Sequence, residues 1–218
     1  MKKTLDEHAA RFDDIAAEYD ENKSEEYNEC VRLVVEHATR GLAGDETVLD
    51  LATGTGAIAL AVADAAGRVV GRDISEGMME EARAKAAERG VSNVEFGEGR
   101  FRAPNYDGSV DVVASNFAMH HLADDEKREA IDVIAGLDPD KIVLGDVMLF
   151  DGTLRVPEDA SGEEPRAEPN SDEPFFSPDV DDPATVGVLA DAFTDAGYAL
   201  TAVEMVHDQV GVLVAERV

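Results

Sequence analysis

Four residues carry the clearest chemistry: Asp50, Gly54, Gly56 and Asp73. The first three stand in Val48-Leu49-Asp50-Leu51-Ala52-Thr53-Gly54-Thr55-Gly56, an apolar run that breaks into a glycine turn. Glycines between a strand and a helix admit a ligand close to the backbone, with helix N–H groups aimed at it. A lone Gly-x-Gly also serves as a plain structural turn. Gly54, Gly56 and Ala59 fit the dinucleotide pattern Gly-x-Gly-x-x-Ala, so a nicotinamide-dinucleotide pocket is one reading. Asp50 argues against it. A carboxylate just before the turn repels a pyrophosphate and suits a cationic amino group. Asp73 closes the next apolar run, 17 residues after Gly56. An acid there can accept both hydroxyls of a ribose; the bland alternative is a solvated strand-end acid.

An ammonium, a ribose and no phosphate describe S-adenosylmethionine better than a dinucleotide. The other residues with chemistry are His120 and His121, which follow a fourth strand, and Asp146, which ends a fifth. Either histidine could orient or deprotonate a substrate hydroxyl or amine; a structural capping histidine is the competing reading. No Cys/His spacing suggests a metal site, and no Ser/His/Asp spacing suggests an acyl nucleophile. The single cysteine, Cys30, reads as a packed core residue and points to a reduced, cytoplasmic setting.

These residues need a scaffold. Residues 5–20 and 25–40 read as amphipathic helices, with Phe12, Ile15 and Tyr19 on one face of the first. Strands follow at Thr47–Leu51, Arg68–Asp73, Val94–Gly97, Val110–Ser115 and Lys141–Asp146. Between them, helices are expected at Ala57–Ala66, Glu76–Arg89 and Asp124–Ala135, and a last one at Ala184–Ala196. Tyr198–His207 and Gly211–Arg217 are joined too closely for anything but an antiparallel pair. The class is α/β: a doubly wound, mostly parallel seven-stranded sheet with a terminal antiparallel pair. The divisions are an N-terminal helical cap (1–44), a cofactor-binding core (45–150), a proline-rich acidic lid or loop (151–183), and a C-terminal helix and strand pair (184–218) that complete the core.

Asp and Glu number 48 against 19 Lys and Arg, a net charge of -29. Such a surface repels a phosphate backbone, so a nucleic-acid partner is not expected. The acids are scattered, which reads as halophilic adaptation to concentrated salt. No apolar run reaches the ~18 residues of a membrane span. The first residues lack the apolar stretch of a secretory leader. The sequence also allows a homodimer.

From Thr47 to about Asp146 the chain resembles class I S-adenosylmethionine-dependent methyltransferases, the small-molecule type related to the ubiquinone and menaquinone methyltransferases. The likeness lies in the glycine segment above, in Asp73-Ile74-Ser75-Glu76-Gly77-Met78-Met79, in Ser109–Ser115, and in Asn116-Phe117-Ala118-Met119-His120-His121-Leu122. Phe12–Asp20 and the terminal strand pair resemble the same group. The resemblance implies a Rossmann-like fold and methyl transfer to a small molecule. It implies that Asp50, Ala52, Thr53, Gly54 and Gly56 line the methionine end, and that Asp73 holds the ribose. Ile74 and Met78 would pack on adenine, Asn116 would lie under the methionine moiety through its backbone, and Tyr19 would close near the sulfonium. The chain departs from the family where Gly-Asp-Ala is usual: it has Gly99-Arg100-Phe101. Arg100 cannot accept a hydrogen bond from the adenine amino group. It could stack on the ring, and Phe101 could offer its backbone N–H. This departure is the best support for a rival, a non-catalytic protein that only binds the cofactor. An apolar acceptor wall is expected from Met148, Phe150, Phe175 and Phe176.

Overall fold

The computed structural model describes residues 5–21, 23–150, 176 and 180–218. The chain opens with α1 (Leu5–Ile15), a single 3-10 turn (Ala16–Glu18) and α2 (Glu25–Thr39). Strand and helix then alternate through β1 (Thr47–Leu51), α3 (Ala57–Val62), β2 (Arg68–Asp73), α4 (Glu76–Arg89), β3 (Val94–Glu98), β4 (Val112–Asn116), α5 (Asp124–Ala135) and β5 (Lys141–Val147). The chain finishes with α6 (Val186–Asp195), β6 (Tyr198–His207) and β7 (Val210–Arg217).

The seven strands form one sheet in the order β3-β2-β1-β4-β5-β7-β6. The first five are parallel, because a helix intervenes between most successive strands. β7 runs antiparallel to both β5 and β6. Only Asp208 and Gln209 separate β6 from β7, which leaves no room for a crossover.

Alternation along each strand divides the core between the two faces of the sheet. Leu49, Leu51, Ile142 and Leu144 pack towards α5 and α6, against Ile131, Ile134, Leu189 and Phe193. Val48, Val69, Ala114 and Val143 pack towards α2 and α3, against Cys30, Val34, Ile58 and Val62. α2, part of the segment read as a cap, is therefore a layer of the core. Cys30 is fully buried there, and burial pushes its thiol far up, so it packs as an apolar group. α3 is four residues shorter at its end than the sequence predicts, since the chain turns at Ala63–Ala66 to enter β2.

α1 and the turn after it lie across α4. Asp13 fixes this contact. Its Oδ1 accepts from Ser75 Oγ at 2.6 Å and from the Gly77 N–H at 2.9 Å, at the N-terminus of α4 where a carboxylate is favoured. Asp20 ties the segment to the glycine turn, accepting from Thr55 Oγ1 at 2.9 Å and pairing with Lys85. Among the described residues no helix is long and apolar enough to cross a membrane.

Candidate active site

The strand order reverses between β1 and β4, and the carboxyl ends of the strands splay apart there. A cavity of about 240 Å³ fills this crevice. Asp50 and Ala52 line it from the end of β1, followed by Thr53, Gly54 and Thr55 from the turn. Asp73, Ile74 and Met78 line it from β2 and the start of α4; Arg100 and Phe101 enter after β3, and Asn116 and Phe117 from the end of β4. His8, Phe12, Tyr19 and Tyr27 cover it from the N-terminal segment.

The turn is built from left-handed residues. Ala52, Gly54 and Gly56 have φ of 57°, 53° and 84°. At Ala52, an L-residue in this region, the conformation costs about 1 kcal/mol. A Cβ on Gly54 would meet nothing within 4 Å, so the backbone there is bare towards the cavity. A Cβ on Gly56 would press on Ala82 at 3.2 Å, so this glycine lets α3 approach α4. The Thr53 N–H donates to the Arg72 carbonyl at 3.0 Å, pinning the turn to β2.

Two carboxylates face the cavity. Asp50 is 1% exposed, and its Oδ2 accepts from Thr53 Oγ1 at 2.6 Å and from the Ala59 N–H at 3.1 Å. Burial pushes its carboxyl up to about 7, partly opposed by those two hydrogen bonds. Asp73 accepts from the Gly54 N–H at 2.8 Å through Oδ2 and from the Ser75 N–H at 2.9 Å through Oδ1. Burial raises it too, against its backbone donors. Burial and the Asp73 and Asp20 carboxylates push the Tyr19 hydroxyl up to about 12, so it stays a neutral donor. The Lys23 ammonium lies 3.0 Å from the centre of the Tyr19 ring and 4.5 Å from that of Tyr27, and burial draws its pKa down to about 8. Asn116 lines the cavity, and both polar atoms of its side-chain amide are buried with no hydrogen-bond partner among the described residues.

The two histidines part company. His121 lines the cavity; His120 points inward and is 6% exposed. His120 Nδ1 is 2.5 Å from Asp146 Oδ1, and Asp146 Oδ2 accepts the His120 N–H at 3.0 Å. Burial works against a charged His120, but the Asp146 and Asp181 carboxylates outweigh it and raise its pKa. His121 Nδ1 is 2.6 Å from Asp181 Oδ1.

Residues 48–137 match a family described as a methyltransferase domain. An uncharacterized methyltransferase of Bacillus pumilus is 28% identical over 98% of this chain and 95% of its own length. A demethylmenaquinone methyltransferase of Clavibacter sepedonicus is 34% identical over 57% of this chain and 50% of its own. The solved DhpI–SAH complex superposes with a TM-score of 0.70, at 20% identity, covering 98% of this chain and 96% of that one. Together the matched domain, these relatives and the shared fold support a class I S-adenosylmethionine-dependent methyltransferase.

In this methyltransferase most of the residues singled out from sequence share one cavity. Two do not line it. Gly56 is the left-handed N-cap of α3, with the cavity on the other side of the turn. His120 and its partner Asp146 lie behind His121, so neither reaches a molecule in the cavity. The acceptor wall also differs. Met148 is wholly buried, and Phe150 packs beside Gly211; neither lines the cavity, because the chain beyond β5 runs on beside the sheet. Phe175 lies outside the described residues, and Phe176 is buried. The apolar lining comes instead from Phe12, Tyr27, Phe117 and Leu122.

Sequence reasoning missed His8, Asp13, Asp20 and Asp181. Asp13 and Asp20 lie in a segment that resembles the family, and their spacing from Tyr19 was a usable clue. His8 sits one helical turn before Phe12, on the same face of α1. Nothing local marks Asp181, which is 60 residues from its partner His121.

Proposed function

We propose that this methyltransferase transfers a methyl group from S-adenosylmethionine to a small organic acceptor, and that Asp50, Asp73 and Asn116 hold the cofactor. The observation that carries this reading is the conjunction, in one crevice, of two buried carboxylates, a bare glycine turn and an unpartnered amide. Both hydrogen bonds of Asp50 described above fall on Oδ2, which leaves its other oxygen for an ammonium. Each oxygen of Asp73 holds one backbone donor and keeps a second lone pair for a ribose hydroxyl. The Asn116 amide can meet the carboxylate or ammonium of the amino-acid tail. The two acids oppose a pyrophosphate, so a dinucleotide fits poorly.

The cofactor supplies a methyl group on a sulfonium whose leaving group is a neutral thioether. The chain's task is to hold the acceptor in line and exclude water. Tyr19, Phe12 and Phe117 wall the cavity against solvent. Ile74, Met78 and Phe101 offer apolar surface for the adenine. Arg100 is exposed at the rim, where its guanidinium can lie over the ring. Its own N–H is committed to the Ala103 carbonyl at 3.0 Å. His121 meets the acceptor, orients its hydroxyl or amine and receives its proton, with His120 behind it setting the position of the turn. The net charge of -29 supports an acceptor that is not a nucleic acid.

Calorimetric titration with S-adenosylhomocysteine and with NAD tests the cofactor. Saturable binding of the first alone is expected, and preference for NAD would overturn the reading. Labelled methyl transfer into a fractionated metabolite extract tests the activity. Cofactor binding with no labelled product would leave a non-catalytic binder.

A further inference from the structure

The turn after β4 and the chain just before α6 meet at His120, His121 and Asp181, where one ligand atom from each lies within 4.8 Å of the others. Asp181 Oδ1 stands 2.6 Å from His121 Nδ1 and 4.0 Å from His120 Nε2. A cation bound at ~2.0–2.2 Å from nitrogen and oxygen needs its donors about 3–4 Å apart, so these three atoms need to move little. Two imidazoles and one carboxylate are a donor set that suits first-row transition cations and leaves coordination positions open.

The surroundings are built for orientation. Asp146 is buried at 2% exposure and engages the far nitrogen of His120, which turns Nε2 towards Asp181. A carboxylate behind a ligating histidine is the usual means of fixing its tautomer and ring angle. Asp146 is itself held by the His120 and Val147 N–H groups at 3.0 and 2.8 Å. The backbone around Asp181 is tied on the same side. The Asp182 N–H donates to the His120 carbonyl at 2.6 Å, and the buried Lys127 ammonium donates to the Leu122 and Asp182 carbonyls. The Asp181 side chain is 9% exposed, so this is no cluster of solvated surface acids. His8 lines the cavity with its ring centre 5.1 Å from that of His121, bringing a third imidazole to the same wall.

We propose that His120, His121 and Asp181 bind a divalent first-row transition cation of the zinc class, oriented by Asp146, and that its open positions take an oxygen or nitrogen of the methyl acceptor. The acceptor contact rests on the methyltransferase reading; the cation site does not. Such a cation lowers the pKa of a bound hydroxyl and positions it without a separate base.

The test is titration of the full chain with cobalt(II) in molar potassium chloride, read by visible absorption, with zinc as competitor. One tightly bound equivalent with ligand-field bands displaced by zinc is expected. Asp181→Asn and His121→Asn should each abolish the bands. Asp146→Asn should weaken binding ~10–100-fold, the usual effect of losing an orienting carboxylate. S-adenosylhomocysteine affinity, measured on Asp181→Asn and Asp146→Asn, whose residues do not line the cavity, should not change; this also shows that these variants are folded. Absence of bands in the parent chain, or bands that persist in Asp181→Asn, would overturn the proposal. Cobalt binding without S-adenosylhomocysteine binding would keep the cation site and remove the cofactor reading; the reverse would do the opposite.

Discussion

Asp50 is buried and, without a cationic partner, holds its proton up to about pH 7. An incoming ammonium needs the ionised form, so cofactor binding below that pH must expel a proton. The consequence is measurable. The apparent affinity for S-adenosylhomocysteine should fall about tenfold per unit as pH drops below 7, reaching roughly 100-fold at about pH 5. Calorimetry in buffers of different ionisation enthalpy should record release of close to one proton near pH 6. In Asp50→Asn the amide oxygen turns to Thr53 Oγ1 and the Ala59 N–H, which leaves the NH2 group facing the ammonium. The variant should lose ~1.5–3 kcal/mol of binding near pH 8, or about 10–150-fold, and its pH profile should be flat. Stability follows the opposite sign. The native carboxyl has a raised pKa, so the folded chain binds more protons than the unfolded one between about pH 4 and 7. Stability from this group is therefore lost as pH rises through that window, by about 4 kcal/mol in total for a shift of some three units. Asp50→Asn should accordingly raise the melting temperature of the cofactor-free protein at neutral pH. A flat profile in the parent chain, or the same slope in the variant, would refute the reasoning.

Other perturbations probe separate parts of the site. A Cβ on Gly145 would collide with Asn116 Oδ1, and Cys30 Sγ and Val34 are 2.7 Å away. Gly145→Ala should therefore cost ~1–3 kcal/mol by denaturant melts and weaken cofactor binding by displacing the amide. Asp20→Ala removes the tie to Thr55 and Lys85; being largely exposed it should cost under ~1 kcal/mol of stability. Stopped-flow should show faster cofactor release, and an unchanged rate would count against a covering role for the Tyr19 segment. Ala52→Gly relieves a left-handed alanine at φ 57° and should leave cofactor affinity intact while changing stability by no more than ~1 kcal/mol in the stabilising direction. With a net charge of -29, thermal stability should climb with potassium chloride concentration; a melting temperature indifferent to salt would contradict the halophilic reading.

The sequence by itself determined the scaffold and the two-carboxylate end of the cavity. Short apolar runs alternating with helical runs point to a parallel sheet, and the short joint after His207 points to the antiparallel finish. Asp50 and Asp73 then had to meet. They end adjacent strands whose register pairs Leu51 with Arg72, so both acids reach the same edge. Only the tertiary structure decided the other end. His120 and His121 are neighbours in sequence, yet a single 3-10 turn sends one into the core and the other to the cavity. Met148 and Phe150 looked like pocket residues but pack beside the sheet. Asp181 reaches His121 across 60 residues that include a proline-rich stretch with no periodicity, so no local pattern records its return. Hydrophobic periodicity and turn chemistry act over a few residues and write elements into the sequence. A meeting of side chains from distant segments is settled by how those elements pack.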